Sequence, residues 1–176
     1  QAPDDQFLRL AGPDQPLAAE GTLSVLGPGT GLGVAHLWRD SSGYRVQATE
    51  GGHVDFAPLD QIEDAILARL RKRHMRVSVE RVVSGPGIVD IYATLAALEG
   101  KPVAEMDDVA IWQAGMEGSD SLAAAAVDRF CLALGSIAGD FALAQGGFGG
   151  VVIACATFSP DRALPSGFAP RGALRT

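Results

Sequence analysis

Hydrophobic and polar positions along the chain fall into a short series of periodic segments. "TLSVLG" (22–27) and "LGVAHLW" (32–38) are apolar runs of strand length on either side of a glycine-rich stretch. "YRVQATE" (44–50) alternates with a period of two and is reached through the turn "DSSG" (40–43). Strand, glycine turn, strand, turn, strand predicts a β-meander. The rhythm then changes to that of a helix. "LDQIEDAILARLRKR" (59–73) places Ile62, Ile66 and Leu70 on one stripe. Asp60 stands as its N-cap with Glu63 three positions on, as in a capping box, and Arg71, Lys72 and Arg73 suit its C-terminal dipole.

In "VSVERVVSGPG" (77–87), Pro86 is placed for the first turn of a helix over "GIVDIYATLAALEG" that stops at Gly100. Residues 101–120 predict a loop with one short helix. "SLAAAAVDRFCLALGSIAGDFALAQ" (121–145) predicts a long helix whose buried face carries Val127, Phe130, Cys131, Leu134, Ile137, Ala138 and Phe141. Gly135 and Gly139 on that helix are expected to let another backbone come close. "GGVVIA" (149–154) is an apolar strand. Residues 1–20 are polar and proline-rich and read as an extended arm; residues 155–176 are rich in Pro, Arg and Ser, with weak periodicity. Strands first, helices later and then another strand predict a layered α/β or α+β domain.

Composition narrows the partners. A net charge of −7, from 14 basic and 21 acidic residues, argues against nucleic acid or an anionic membrane. It leaves room for a small anion, because a few backbone N–H groups bind phosphate without basic side chains. No apolar run approaches the roughly 20 residues that span a bilayer, and no secretory signal opens the chain. The first residue is Gln1 and not Met, so a processed or partial product is expected. Cys131 and Cys155 both lie in apolar runs and read as buried thiols in a reducing, cytoplasmic setting. No cysteine cluster or other set of four ligands offers a structural zinc site.

The candidate chemistry begins with "SVLGPGTGLGVAHLW" (24–38). Its glycine loop lacks the Gly-Lys-Ser/Thr ending of a Walker A loop. It is no dinucleotide fingerprint either, because Leu32 stands where a third glycine is required. It fits a hairpin turn. Four glycines and a threonine nevertheless exceed what a two-strand turn needs, and alternate glycines let N–H groups approach an anion.

The loop, followed by "EGGHVDFAP" (50–58) and "VSVERVVSGPGIVDIY" (77–92), resembles bacterial glucokinase of the non-repressor type, an ATP-dependent hexose kinase. Three motifs match in order and spacing, over roughly residues 1–154. The resemblance implies a ribonuclease-H-like, actin/hexokinase-type ATPase fold, an α/β mixed sheet packed with helices. Two such domains flank the active-site cleft in the family. Residues 21–154 then correspond to the large domain, residues 1–20 to an arm continuing from a small domain outside this chain, and residues 155–176 to a divergent tail.

By the same resemblance, Gly29, Thr30 and Gly31 line the phosphates of ATP, with Mg²⁺ as the nucleotide's companion, and Gly149 and Gly150 belong to the adenosine-contacting motif. In "GGVVIACATF" (149–158), Cys155 and Ala156 replace the second glycine pair of that motif. Glu50, His53 and Glu80 are implied to contact the hydroxyls of glucose. A carboxylate accepts from two adjacent hydroxyls, while an imidazole donates at one nitrogen and accepts at the other. As bare sequence, His53 also fits a turn, Glu50 a strand end in solvent and Glu80 a surface ion pair. Asp55 is expected to be structural and His36 and His74 incidental. The family's catalytic base, an Asp in an Asn-Asp-Phe motif, does not occur and is expected upstream of Gln1. The chain alone is therefore expected to be inactive, with a sugar-binding fragment as the alternative. The family is commonly dimeric, so a homodimer is expected.

Overall fold

The structure, a computed structural model, describes residues 9–13 and 16–154. Three antiparallel strands form the expected meander: β1 (Gly21–Pro28), β2 (Leu32–Asp40) and β3 (Gly43–Thr49). Pairing runs from Gly21↔Arg39 to Pro28↔Leu32 and from Val34↔Thr49 to Asp40↔Gly43. In the second turn, the hydroxyl and N–H of Ser42 both donate to Asp40 and hold its carboxyl below the usual carboxylate range. β4 (Val151–Ile153) adds parallel to β1, giving the mixed sheet β3-β2-β1-β4. It is shorter than the predicted 149–154 and only half-buried, since its outer edge has no neighbouring strand among the described residues.

Four helices complete the unit: α1 (Gln61–Arg71), α2 (Gly85–Leu98), α3 (Asp108–Glu117) and α4 (Ser121–Gln145). Each has a side-chain N-cap, supplied by Asp60, Ser84, Asp107 and Asp120. Ser84 explains why α2 starts two residues before the predicted Gly87. Its hydroxyl accepts from Gly87 N at 3.2 Å, which draws Gly85 and Pro86 into the first turn. The stretch 101–120 holds one helix, α3, of ten residues. α2, α3 and α4 all end in the same motif. Gly100, Gly118 and Gly146 take positive φ, and the next N–H bonds back five residues, as in Lys101 N to Ala96 O at 2.9 Å.

The capping box of α1 is displaced by one residue. Asp60 accepts from Ile62 N and Glu63 N, but the Glu63 carboxylate takes the N–H of Leu59, one residue before the cap. Partial burial alone would raise the Asp60 carboxyl; the N–H of Glu63, then Arg129 of α4, bring it below its ordinary value. Glu63 itself is buried, and burial pushes its carboxyl up.

Leu26, Leu32 and Val34 on one face of the sheet meet the helical layer. The core between them collects Ile66 and Leu70 of α1, Ile88 and Ile91 of α2, Ile111 of α3, and Val127, Phe130, Leu134, Ile137 and Phe141 of α4. Trp112 meets Phe130 edge to face at 5.2 Å. Cys131 is buried as expected, and burial, with the Asp128 charge beside it, pushes its thiol up to about 12. Cys155 lies outside the described residues.

Two expectations for α4 change. By length and composition it could cross a bilayer, contrary to the reading of its apolar run, but half of that apolar window is buried and it forms the spine of the core. Gly139 has nothing within 4 Å, while a close helix approach falls at Gly115 of α3, where an added Cβ would lie 2.8 Å from Ala123 O.

Asp60→Ala removes the cap of α1 and its link to Arg129, so the urea midpoint should fall by the equivalent of about 1 kcal/mol. Glu63→Gln tests the buried acid. A folded-state pKa raised above 4.5 means that burying Glu63 costs stability above that pH and costs nothing below it. The substitution should therefore raise the melting temperature at pH 7 and lose that advantage below pH 4.5.

Candidate functional site

The site begins where β3 ends. Thr49 donates to Val34 O at 2.9 Å, its hydroxyl accepts from Gly51 N at 3.2 Å, and the chain turns off the sheet. Residues Gly51–His53 then form a single 3-10 turn, closed by His53 N to Glu50 O and Val54 N to Gly51 O, both at 3.0 Å. This turn is pressed into the core. A Cβ on Gly52 would stand 2.2 Å from Leu32 O; one on Gly51 would stand 2.8 Å from Phe141 Cε1 and 2.9 Å from Val34 Cβ. The two glycines of "EGGH" are there because β2 and α4 leave no room for a side chain.

After His53 the backbone meets the segment that follows α1. Val79 N donates to Val54 O at 2.9 Å and Phe56 N to Val77 O at 3.0 Å, an antiparallel bridge centred on Asp55 and Ser78. Phe56, Val77 and Val79 are buried beneath it. Extending that register by two residues sets His53 opposite Glu80, which lies on the next 3-10 turn, Val79–Arg81.

Contact follows from this register. His53 Nδ1 is 3.1 Å from Glu80 Oε1, and His53 Nε2 is 3.5 Å from Glu50 Oε2. The three residues form one chain of acceptor, imidazole and acceptor, graded in exposure from Glu50 at 90% through His53 at 59% to Glu80 at 19%. Such a row can meet several hydroxyls of one polyol at once, each hydroxyl being both donor and acceptor. Asp55, next to it, pairs with Arg76 across the bridge.

The glycine loop adjoins this row. Gly29, Thr30 and Gly31 are the tip of the β1–β2 hairpin, with Gly29 and Thr30 exposed. None of its glycines takes a positive φ, so backbone conformation does not account for them. On one side, a Cβ on Gly31 would stand 3.0 Å from Glu80 Oε2. On the other, Gly85 N, in the first turn of α2, donates to Gly29 O at 2.8 Å. Asp108 of α3 stands beside Gly85, its Oδ2 2.3 Å from where a Cβ of that glycine would be. Segment 80–85 thus joins the carboxylate row to the hairpin tip.

Gly149 and Gly150 are not brought there. Gly149 N donates to Thr22 O, and Ser24 N donates to Gly150 O, at the far end of β1 from the hairpin. Thr22 and Gly29 are separated along the strand by roughly 20 Å. Both glycines serve packing, since added Cβ atoms would meet Thr22 O at 2.8 Å and Leu17 Cδ2 at 2.7 Å. The part of β4 that reaches the hairpin end is Ala154, whose N–H donates to Leu26 O at 2.7 Å. His36 lies on β2 beside Ser24 in register, and His74 follows α1; neither joins the row. Among the described residues no group of three His, Cys, Asp or Glu is placed to hold a metal ion.

Sequence reasoning missed Gly85 and Asp108. The signal for Gly85 was the Ser-Gly-Pro-Gly stretch, which reads locally as a helix start. Asp108 carries none, because only the packing of α3 brings it beside α2.

A mixed sheet of this order, backed by helices and carrying an exposed glycine hairpin next to a polar row, is the layered unit of the actin/hexokinase-type ATPase fold. A glucokinase crystal structure from an Antarctic psychrotroph superposes on it with a TM-score of 0.77 at 35% identity, covering 88% of this chain and 47% of that one. Glucokinase from Balamuthia mandrillaris in complex with glucose gives 0.68 at 25% identity, covering 76% and 39%. The glucokinase family model matches residues 1–159. Glucokinase of Zymomonas mobilis is 53% identical over 175 residues, which is 96% of this chain and 54% of the relative. The chain belongs to the glucokinase family and spans about half the length of the curated relatives it matches.

Gly52→Ala tests the packing of the turn. A methyl group 2.2 Å from Leu32 O forces the turn off β2, so folding stability should fall by at least about 2 kcal/mol. An unchanged urea midpoint would show that the approach is not so close.

Proposed function

We propose that this chain supplies the glucose-binding wall and part of the ATP-phosphate wall of a kinase that makes glucose 6-phosphate. The observation that supports this reading most directly is the convergence of Glu50, His53 and Glu80 beside the glycine hairpin. A row of two carboxylates and an imidazole suits the hydroxyls of a hexose and leaves groups unpaired when an analogue lacks one. Exposed Gly29 and Thr30 offer backbone and a hydroxyl to a phosphate with no side chain of Gly29 in the way. Mg²⁺ would enter with the nucleotide, held chiefly by phosphate oxygens and water, next to the hydroxyl of Thr30.

In this reading the sugar 6-hydroxyl attacks the γ-phosphate of ATP, and catalysis is positioning and charge stabilisation. His53, Glu50 and Glu80 hold the sugar, and the hairpin orients the phosphates. This reading assigns the carboxylate that accepts the hydroxyl proton to none of the described residues. This reading places the phosphates at the hairpin and rests nothing on Gly149 and Gly150, which pack against Thr22 and Leu17 at the other end of β1. The setting is cytoplasmic, the assembly a homodimer, and neither nucleic acid nor membrane is a partner.

Calorimetry with glucose tests the reading. The parent chain should bind, and Glu80→Ala should weaken binding by about 10–100-fold, as expected for lost hydrogen bonds to a charged acceptor. A coupled assay on the same chain should show no turnover. Absence of heat from the parent would sink the hexose reading, and normal turnover would place the proton acceptor within the chain.

A further inference from the structure

We infer that Gly31, in the glycine hairpin, is a positioning residue for the carboxylate of Glu80, so that the loop read as the phosphate wall also sets the hexose wall. This rests on the hexose reading of Glu50, His53 and Glu80. The two oxygens of Glu80 are held differently. Oε1 meets His53 Nδ1 at 3.1 Å. Oε2 lies against the hairpin, 3.0 Å from where a Cβ of Gly31 would be. With its side chain only 19% exposed, Glu80 is enclosed between the imidazole and the loop.

Turn chemistry does not account for the glycine. Gly31 has no positive φ, so no left-handed backbone calls for a glycine there. Open space does not account for it either, because the contact is particular to this position: Gly29, in the same turn, has nothing within 4 Å. Nor is the hairpin free to recede. Gly29 N donates to Gly31 O at 2.8 Å, Gly29 O accepts from Gly85 N at 2.8 Å, and Pro28 pairs with Leu32. A side chain added at position 31 therefore presses on the carboxylate, which must give by a few tenths of an ångström and so loosens its contact with His53.

A double-mutant cycle on the full chain, read by glucose calorimetry, tests this. Gly31→Ala should weaken glucose by about five- to tenfold. Glu80→Asp withdraws the carboxylate by one methylene and leaves room for the new methyl. The combined variant should therefore lose less affinity than the product of the two single losses, by at least about threefold. A merely structural role for Gly31 gives losses that multiply, and that result overturns the inference. Amide hydrogen exchange in the parent chain provides a second measurement that needs no variant. Glucose should slow exchange across residues 29–31, and an unchanged rate overturns the inference even if Gly31→Ala fails to fold. A parent chain that binds no glucose defeats the hexose reading itself, and the inference with it. Glucose binding with multiplicative losses defeats the inference alone.

Discussion

The site depends on two backbone hydrogen bonds, Val79 N to Val54 O and Phe56 N to Val77 O. They join the segment leaving the sheet to the segment returning from α1, and their register alone sets His53 opposite Glu80. Two bonds contribute only about 1 kcal/mol each, net of water. What holds the bridge is the apolar layer beneath it, where Phe56, Val77 and Val79 are buried against the common core. α1 leaves and re-enters through this bridge, tied to α4 by Asp60 and Arg129 and to its own approach by Glu63 and Leu59 N. The polar row at the surface is thus positioned by an apolar contact below it.

The same dependence explains why the glycines of the motifs are glycines. At Gly51 and Gly52 the neighbours are Phe141, Val34 and the Leu32 carbonyl, so the turn carrying His53 sits on the point where helix and sheet meet. In the hairpin no glycine is needed for a left-handed backbone. Position 31 faces Glu80, and position 29 faces open space. A motif read as ligand-binding is therefore partly a record of packing.

The chain belongs to the glucokinase family and spans about half the length of its curated relatives. Glu50 is 90% exposed and His53 59%, so the row lies at the surface while both nitrogens of His53 turn to its carboxylate neighbours. The row and the hairpin tip stand side by side, joined by segment 80–85. The sheet end that carries them is also where β4 stops, at Ala154 beside Leu26.

Local chemistry determined the elements from sequence. The span of α4, 121–145, was legible at both ends because Asp120 caps one and the Gly146–Gly147 pair closes the other. The meander was legible because its strands alternate or run apolar between turn residues. Glu50, His53 and Glu80 were singled out through the resemblance of their motifs, and the structure brings the three together. Tertiary structure alone decided what those elements do to one another. It put a close helix approach at Gly115 and left Gly139 open, set Gly149 and Gly150 at the far end of β1 from the hairpin, and placed Gly85 and Asp108 beside the hairpin. Capping, periodicity and turn preference act within a few residues of chain and are written there. Which glycine meets a neighbour depends on contacts between segments far apart in sequence, and these arise only when the core closes.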